Sequence, residues 1–135
     1  MLALYLDTSA ILRATLEVDA SPDVERRIEQ AEVLLTSRLS IVESARALIR
    51  LRQRLGVTET QLADLGRQIE EILSRCDLWE LTADVCDLAS RVAPDKNLRT
   101  LDALHLATYS IARRRIENLE LLTSDQRLAQ AAGAT

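Results

Sequence analysis

Short apolar runs alternate with longer amphipathic stretches along the chain. The opening run, residues 1–6, is continuously apolar and stops at Asp7, as expected of a strand buried on both faces of a parallel sheet. Three later runs also have strand length, at residues 33–36, 78–82 and 119–123. Strands that alternate with helices predict an α/β domain with a parallel sheet. Because no linker or internal repeat divides the 135 residues, we expect a single domain spanning residues 1–135.

The amphipathic stretches between these runs predict the helices. Thr8 and Ser9 are candidate caps for the first helix, and Thr100 for the helix that follows the loop of residues 94–100. Gly56 ends a long helix and separates it from the next one. These two helices form a helical hairpin over residues 41–76, whose apolar face either packs on its own sheet or forms a groove for a partner's helix. Five of the predicted helices cover residues 10–16, 37–55, 83–92, 101–115 and 125–132. Two others begin after Ser21-Pro22-Asp23 and at Thr58.

Composition narrows the class of protein. The net charge is −4 and there is no Phe, which argues against a nucleic-acid binder that uses a basic face or stacking platforms. No apolar run approaches the roughly 20 residues that span a bilayer, and no signal peptide opens the chain, so we expect a cytoplasmic protein without a membrane partner. Cys76 and Cys86, with His105 as the single histidine, do not match a zinc-site spacing. We expect both cysteines to be buried thiols.

Four acidic residues stand where strands end or where the following helices begin. Asp7 ends the first strand, Glu43 lies in the opening turns of the helix after the second, and Asp125 follows the last strand. In a parallel sheet these positions share the carboxyl edge, where such folds bind ligands. Asp102 begins a helix after the loop of residues 93–100, which spans about 23 Å if extended and can return the chain to that edge. We therefore expect the four carboxylates to share one pocket.

Each of these acids taken alone also fits a structural role. Asp7 and Asp125 both precede predicted helices and fit helix caps. Asp102 suits the positive end of a helix dipole, and Glu43 fits a solvated helix face. Only the shared edge favours a common functional site.

Four carboxylates close together repel one another unless cations neutralise them. Ligation by oxygen alone suits Mg²⁺ or Mn²⁺, which also take ligands from substrate phosphates. Such ions activate water and stabilise the leaving oxygen of an in-line displacement. The chemistry that this pattern favours is phosphodiester hydrolysis.

Four segments that carry these acids in order cover nearly the whole chain: Leu-Asp-Thr-Ser-Ala-Ile at 6–11, Ser-Arg-Leu-Ser-Ile-Val-Glu at 37–43, Leu-Arg-Thr-Leu-Asp-Ala-Leu-His-Leu-Ala at 98–107, and Leu-Thr-Ser-Asp-Gln-Arg-Leu at 122–128. Together they resemble the PIN-domain nucleases, and within them the VapC-type toxins of VapBC toxin–antitoxin pairs. The third segment is the most specific part of the match.

The resemblance implies a three-layer α/β/α fold around a mainly parallel sheet of four or five strands. Family members often close with a further short strand, which residues 132–135 do not resemble. It also implies Mg²⁺ or Mn²⁺ dependence, endonucleolytic cleavage of RNA, a VapB-type antitoxin as partner, and a homodimer. Ser9 and Thr123 are implied as auxiliary hydroxyls of the pocket. The implied metal ligands and catalytic residues are Asp7, Glu43, Asp102 and Asp125.

Two further sets of residues each have a functional and a structural interpretation. His105 lies three residues after Asp102 and can share its helix face, either as a general base or as a packing residue. We favour packing, because an activated water on a metal needs no histidine. Several arginines near the expected edge are either phosphate contacts or solvated surface side chains: Arg13, Arg46, Arg50 and Arg99.

Other classes with acids at strand ends match less well. A phosphatase with Asp-x-Asp after its first strand would need an acid at position 9, where this chain has Ser9. A receiver domain would need paired acids near its first strand and a lysine after a late one. Two alternatives stay open: a non-catalytic binding protein with the PIN fold, and a PIN nuclease outside a toxin–antitoxin system.

Overall fold

The computed structural model describes residues 1–16 and 22–134, and four strands and seven helices lie within these ranges. In chain order they are β1 (Ala3–Leu6), α1 (Thr8–Thr15), α2 (Pro22–Gln30), β2 (Val33–Ser37), α3 (Arg38–Arg52), α4 (Glu59–Arg75), β3 (Asp77–Trp79), α5 (Ala83–Ala89), α6 (Thr100–Ala112), β4 (Leu119–Leu122) and α7 (Gln126–Ala134).

The four described strands form one parallel sheet in the order β3-β2-β1-β4. The register pairs Leu6, the last residue of β1, with Thr36 of β2 and with Leu122 of β4. These three strands therefore end within one residue of the same level. The residues that follow them, among them Asp7, emerge side by side at the carboxyl edge of the sheet.

Helices cover both faces of the sheet, so the fold has three layers. Alternate side chains of β1 enter different cores, because successive residues of a strand point to opposite faces. Tyr5 packs with Leu106 of α6 and Leu128 of α7 on one face. Leu4 packs with Ile11 of α1 on the other face, where α2 and α4 also contribute. The predicted α/β/α fold, with a strand buried on both faces at its centre, is confirmed.

The caps of two helices differ from the sequence prediction. The first helix begins at Thr8 instead of residue 10. Its cap is Asp7, the structural role that the sequence also allowed for this acid, and not Thr8 or Ser9, since the Asp7 carboxylate accepts a hydrogen bond from the Ala10 amide. The sixth helix begins at Thr100, so Thr100 lies inside it and no side chain caps it. A side chain caps a helix only from the position just before the first helical residue, which is Asp7 for the first helix and Arg99 for the sixth.

Several element ends are shorter than predicted. The third helix ends at Arg52, the fifth at Ala89 and the sixth at Ala112, while the third strand has three residues. The last helix begins at Gln126, so that Asp125 precedes it. Prediction of ends fails most easily because terminal turns lack half of their hydrogen bonds and fray.

Two other expectations were also tested. Cys76 is half-buried but Cys86 is exposed, so the prediction that both thiols are buried was wrong for Cys86, which faces outward from a short surface helix. Pro22 opens the second helix as predicted, whereas Ser21 lies outside the described residues. Within the described ranges, no helix is long and apolar enough to cross a membrane.

Candidate functional site

The topology brings the four predicted acids to one place. Asp7, Glu43, Asp102 and Asp125 all line one pocket of about 200 Å³ at the carboxyl edge of the sheet. A wider groove of about 530 Å³ shares three of these acids, all but Asp7. Glu43, Asp102 and Asp125 thus line both cavities, the inner pocket and the wide groove, whereas Asp7 lines the inner pocket alone.

Asp7 is the deepest of the four and is held by neutral hydrogen-bond donors. The residue is 4% exposed, and its carboxylate accepts hydrogen bonds from Ser9 Oγ at 2.7 and 2.9 Å, from Thr123 Oγ1 at 2.7 Å and from the Ala10 amide at 3.0 Å. Burial raises the pKa of Asp7, although the bonds from Ser9 and Thr123 offset part of that effect. Ser9 and Thr123, the two predicted auxiliary hydroxyls, therefore contact the pocket through this acid.

Glu43 has a different partner set, which includes a histidine. Its Oε1 accepts a hydrogen bond from Thr8 Oγ1 at 2.6 Å and lies 2.8 Å from His105 Nε2. Burial raises the pKa of Glu43, but the hydrogen bonds from His105 and Thr8 and the charge of Arg50 outweigh burial and leave the pKa below its usual value. Glu43 is therefore ionised at neutral pH.

Asp102 and Asp125 stand at the starts of two helices and repel each other. Burial raises the pKa of Asp102, and the charge of Asp125 raises it further. Asp125 caps α7, because its Oδ1 accepts a hydrogen bond from the Arg127 amide at 2.9 Å. Asp125 therefore caps a helix and also lines the pocket, and the sequence allowed both positions for it.

A layer of buried hydroxyls supports this pocket from below. Thr36 donates to the Leu6 carbonyl at 2.7 Å and lies 2.7 Å from Ser40, which in turn lies 3.1 Å from Thr8. Thr36 and Ser40 are fully buried, and buried polar groups persist where they are paired in this way. The chain of hydroxyls ties the ends of β1 and β2 to the starts of α1 and α3, and so sets where Asp7 and Glu43 stand.

Three arginines line the two cavities beside the acids. Arg99 and Arg127 line the wide groove together with Glu43, Asp102 and Asp125, and Arg50 lines the inner pocket. Within the described ranges, no ion pair joins these three arginines to a carboxylate, whereas other surface arginines such as Arg38 are paired. Their guanidinium groups are therefore available to an anion.

The predicted phosphate contacts are only partly brought to the site. Arg99 lines the groove, whereas Arg13 and Arg46 do not line either cavity. Arg46 is exposed on α3. Arg127 was missed by the sequence prediction, although it stands two residues after Asp125 and so shares the start of the same helix.

The donor set of the pocket fits a hard divalent cation. In residues 1–16 and 22–134, no three His, Cys, Asp or Glu side chains are grouped as a preformed cage for a metal ion. Mg²⁺ does not require such a cage, since it keeps several waters and takes one or two carboxylates plus substrate phosphates. The pocket offers four carboxylates and no thiolate, with its one imidazole already engaged by Glu43. The chemistry of these residues therefore fits Mg²⁺ or Mn²⁺.

His105 plays a larger part in the site than the sequence suggested. It is 3% exposed, in agreement with the packing role that we favoured, but it also contacts Glu43 directly. The sequence signal was its spacing of three residues from Asp102, and the identity of the partner depends on a residue 62 positions away. Thr8 was considered only as a cap, and its hydrogen bond to Glu43 was also missed.

A parallel α/β/α domain with four acids at its carboxyl edge defines a class, and comparison with known proteins identifies it. The family model of the PIN domain matches residues 4–134. This chain belongs to the PIN-domain family.

Its relatives place it more narrowly, among the VapC ribonucleases. The chain is 33% identical over 132 residues to ribonuclease VapC46 of Mycobacterium tuberculosis, a match that covers 98% of this chain and 92% of that protein. Among solved structures, PAE2754 from Pyrobaculum aerophilum has a TM-score of 0.66 at 25% identity, covering 96% of this chain and 79% of that one. A toxin–antitoxin complex from Klebsiella pneumoniae shares the fold, with a TM-score of 0.63 at 18% identity over 92% of this chain and 87% of that one.

Proposed function

We propose that this chain is a divalent-metal-dependent endoribonuclease that hydrolyses RNA phosphodiester bonds, as the toxin of a toxin–antitoxin pair. The observation that carries the proposal is one pocket lined by Asp7, Glu43, Asp102 and Asp125, beside a groove whose two arginines form no ion pair within the described residues. The family and the name of the relative VapC46, a ribonuclease, support the same activity.

The four carboxylates would hold Mg²⁺ or Mn²⁺. When bound, such a cation supplies Lewis acidity for the phosphoryl group and makes water a better nucleophile at neutral pH. Ser9 and Thr123 keep the Asp7 carboxylate in one orientation, and the partners of Glu43 keep that carboxylate ionised. The protein's own contribution is therefore an oriented set of oxygen ligands.

The arginines of the groove would bind the substrate. Guanidinium groups bind phosphate oxygens through two parallel hydrogen bonds. Arg99 and Arg127 come from the starts of α6 and α7 and line the groove beside three acids. A strand of RNA in this groove would have backbone phosphates on the arginines while one phosphodiester faces the carboxylates. Arg13 and Arg46, which do not line the groove, would contribute less.

The test is cleavage of total RNA by the purified chain in Mg²⁺ or Mn²⁺, with EDTA as one control and Asp102→Asn as the other. Asn keeps an oxygen that can accept the amide hydrogen bond from Arg99, so the helix start should survive. Asp84→Asn is the matched variant, since Asp84 also stands in the first turn of a helix but is exposed and outside the pocket. We expect cleavage that EDTA and Asp102→Asn abolish and Asp84→Asn leaves intact.

Two other outcomes would contradict the proposal. Equal cleavage by the wild type and Asp102→Asn would point to a contaminating nuclease. A folded wild-type chain that binds no Mn²⁺ and cuts no RNA would favour the non-catalytic PIN-fold alternative.

The partners would be an antitoxin of the VapB type and a second copy of the chain. The hairpin of α3 and α4 carries exposed apolar side chains on α3, Val42 at 55% and Ile49 at 45%. A groove of about 190 Å³ between the two helices is lined by Leu48, Ile49 and Leu62. A partner helix that lays its apolar face into such a groove is a common recognition mode. Co-purification of Ile49→Asp with the antitoxin, and light scattering of the free chain, test the two partners separately.

A further inference from the structure

His105 connects the centre of the sheet to the pocket. It lies on α6, one turn after Asp102, and is 3% exposed. Both of its ring nitrogens have partners: Nδ1 lies 2.9 Å from the Tyr5 hydroxyl, and Nε2 lies 2.8 Å from Glu43 Oε1 and 3.2 Å from Thr8 Oγ1. A buried histidine that only filled space would not need acidic and phenolic partners on opposite sides of its ring.

The contact with Glu43 has a defined direction. An ionised carboxylate only accepts hydrogen bonds, so His105 Nε2 carries the hydrogen and donates it to Oε1. Thr8 donates to the same oxygen. Within the described residues, no hydrogen bond reaches the other oxygen, Oε2, while the Glu43 side chain stays 24% exposed beside the pocket. One oxygen of Glu43 is therefore held by two donors, and the other is left for a ligand.

Tyr5 holds the imidazole on its far side. Tyr5 is fully buried on the central strand, and its ring meets the His105 ring edge-on, with centroids 6.0 Å apart at 71°. Rotation of the imidazole would break both the Tyr5 and the Glu43 contacts inside a close-packed core. Tyr5 on the central strand therefore fixes the imidazole of His105, which in turn fixes the carboxylate of Glu43.

We propose that His105 is a positioning residue for Glu43: it anchors Oε1 and so presents Oε2 to the divalent cation. This inference rests on the proposed function and deepens it. Partners of this kind around a metal ligand set its orientation and basicity, and their loss typically weakens metal affinity 10- to 100-fold.

Two amide variants of His105 test the inference through their affinity for Mn²⁺. The affinity is obtained by electron paramagnetic resonance, which measures the concentration of free Mn²⁺. His105→Gln keeps an N–H near the position of Nε2, whereas His105→Asn is one methylene shorter and cannot reach Oε1. We expect His105→Asn to weaken Mn²⁺ binding about tenfold and His105→Gln to restore most of it. In a Glu43→Gln background, where the anchored charge is gone, His105→Asn should cause little further loss.

The inference is overturned if folded His105→Asn binds Mn²⁺ as the wild type does, or if it causes the same loss with and without the Glu43 carboxylate. Should His105→Asn fail to fold, Tyr5→Phe removes one hydroxyl with the ring kept. It should weaken Mn²⁺ binding several-fold only while Glu43 is intact, and an unchanged affinity would overturn the inference.

Failure of the proposed function gives a different result. A wild-type chain without Mn²⁺ binding and without RNA cleavage would overturn the function itself. The contact between His105 and Glu43 is then tested without metal. The shift of the urea midpoint in EDTA is measured for His105→Asn, for Glu43→Gln and for the double variant. A double variant less destabilised than the sum supports the positioning contact, and strict additivity overturns it.

Discussion

Replacing Thr123 by valine removes a single hydroxyl that contacts Asp7, the Asp125 amide and Ser9. Thr123 Oγ1 donates to Asp7 Oδ2 at 2.7 Å and accepts a hydrogen bond from the Asp125 amide at 3.0 Å. Because Asp7 is 4% exposed, water cannot easily replace the lost donor. A hydrogen bond to a charged group contributes about 1.5–3 kcal/mol, so we expect Thr123→Val to destabilise the metal-free protein by about 2 kcal/mol at neutral pH.

The loss should depend on pH in a defined direction. Burial raises the folded-state pKa of Asp7, so ionisation of Asp7 weakens the folded state as pH rises through that pKa. The Thr123 bond lowers the same pKa, and its removal raises the pKa further. The difference between variant and wild type is therefore largest above the folded-state pKa values. It becomes smaller as the pH falls and Asp7 takes up a proton, because a bond between neutral groups contributes about 1 kcal/mol.

The measurement is urea denaturation in EDTA at pH 7.5 and pH 4, with thermal unfolding alongside. A loss of about 2 kcal/mol corresponds to a fall in Tm of about 6–10 °C for a domain of this size. Thr123→Ser keeps the hydroxyl and should stay close to the wild type. A Thr123→Val variant as stable as the wild type at pH 7.5, or equally destabilised at both pH values, would falsify the assigned role of this hydrogen bond.

Three further variants, one of them a double substitution, probe other interactions of the molecule. Asp102→Asn should raise the Tm of the metal-free protein at pH 7.5, and by less as the pH is lowered, because burial and Asp125 raise the pKa of Asp102 and its ionisation weakens the folded state. Mg²⁺ should then raise the Tm of the wild type only, and calorimetry showing the same Mg²⁺ response in both would refute this. The double variant Arg99→Ala/Arg127→Ala should raise KM for RNA more than it lowers kcat. It should also reduce the slope of log KM against log salt by about 1.4, as expected for the loss of two phosphate contacts to a single strand. An unchanged slope would exclude those contacts. Thr58→Ala removes the hydroxyl of a complete capping box at the start of α4. It should lower the free energy of unfolding by about 1 kcal/mol and leave RNA cleavage unchanged. A loss of activity at constant stability would show that this cap is not independent of the site.

The strands, the helices and the positions of the site acids could be predicted from the local sequence pattern, and there is a physical reason for this. A short continuous apolar run ending in Asp7 is typical of a strand buried on both faces, and β1 is such a strand. Likewise, Thr58 with Gln61 three residues later is a capping box that acts within a single turn. Interactions that close within a few residues are encoded where they act, so the sequence predicts them without knowledge of the rest of the fold.

The partners of the acids could not be found in this way. His105 was expected to pack, and it does, but its hydrogen bond to Glu43 joins residues 62 positions apart and its contact with Tyr5 joins residues 100 apart. Thr123 reaches Asp7 across 116 positions. Such contacts depend on the relative level of three strands and on the angle at which two helices leave the sheet, and many other side chains of the same polarity would fit the local pattern equally well.

The sequence by itself determined the alternation of strands and helices, the order of the four acids and the edge of the sheet at which they meet, because periodicity and chain direction are local properties. The tertiary structure alone decided which arginines face the groove, which oxygen of Glu43 is held and which is left for a ligand, and why the pKa of Asp7 is raised while that of Glu43 is lowered. Those properties depend on burial and on distances of about 3 Å between atoms far apart in the chain, and electrostatic and hydrogen-bond energies change steeply over such distances.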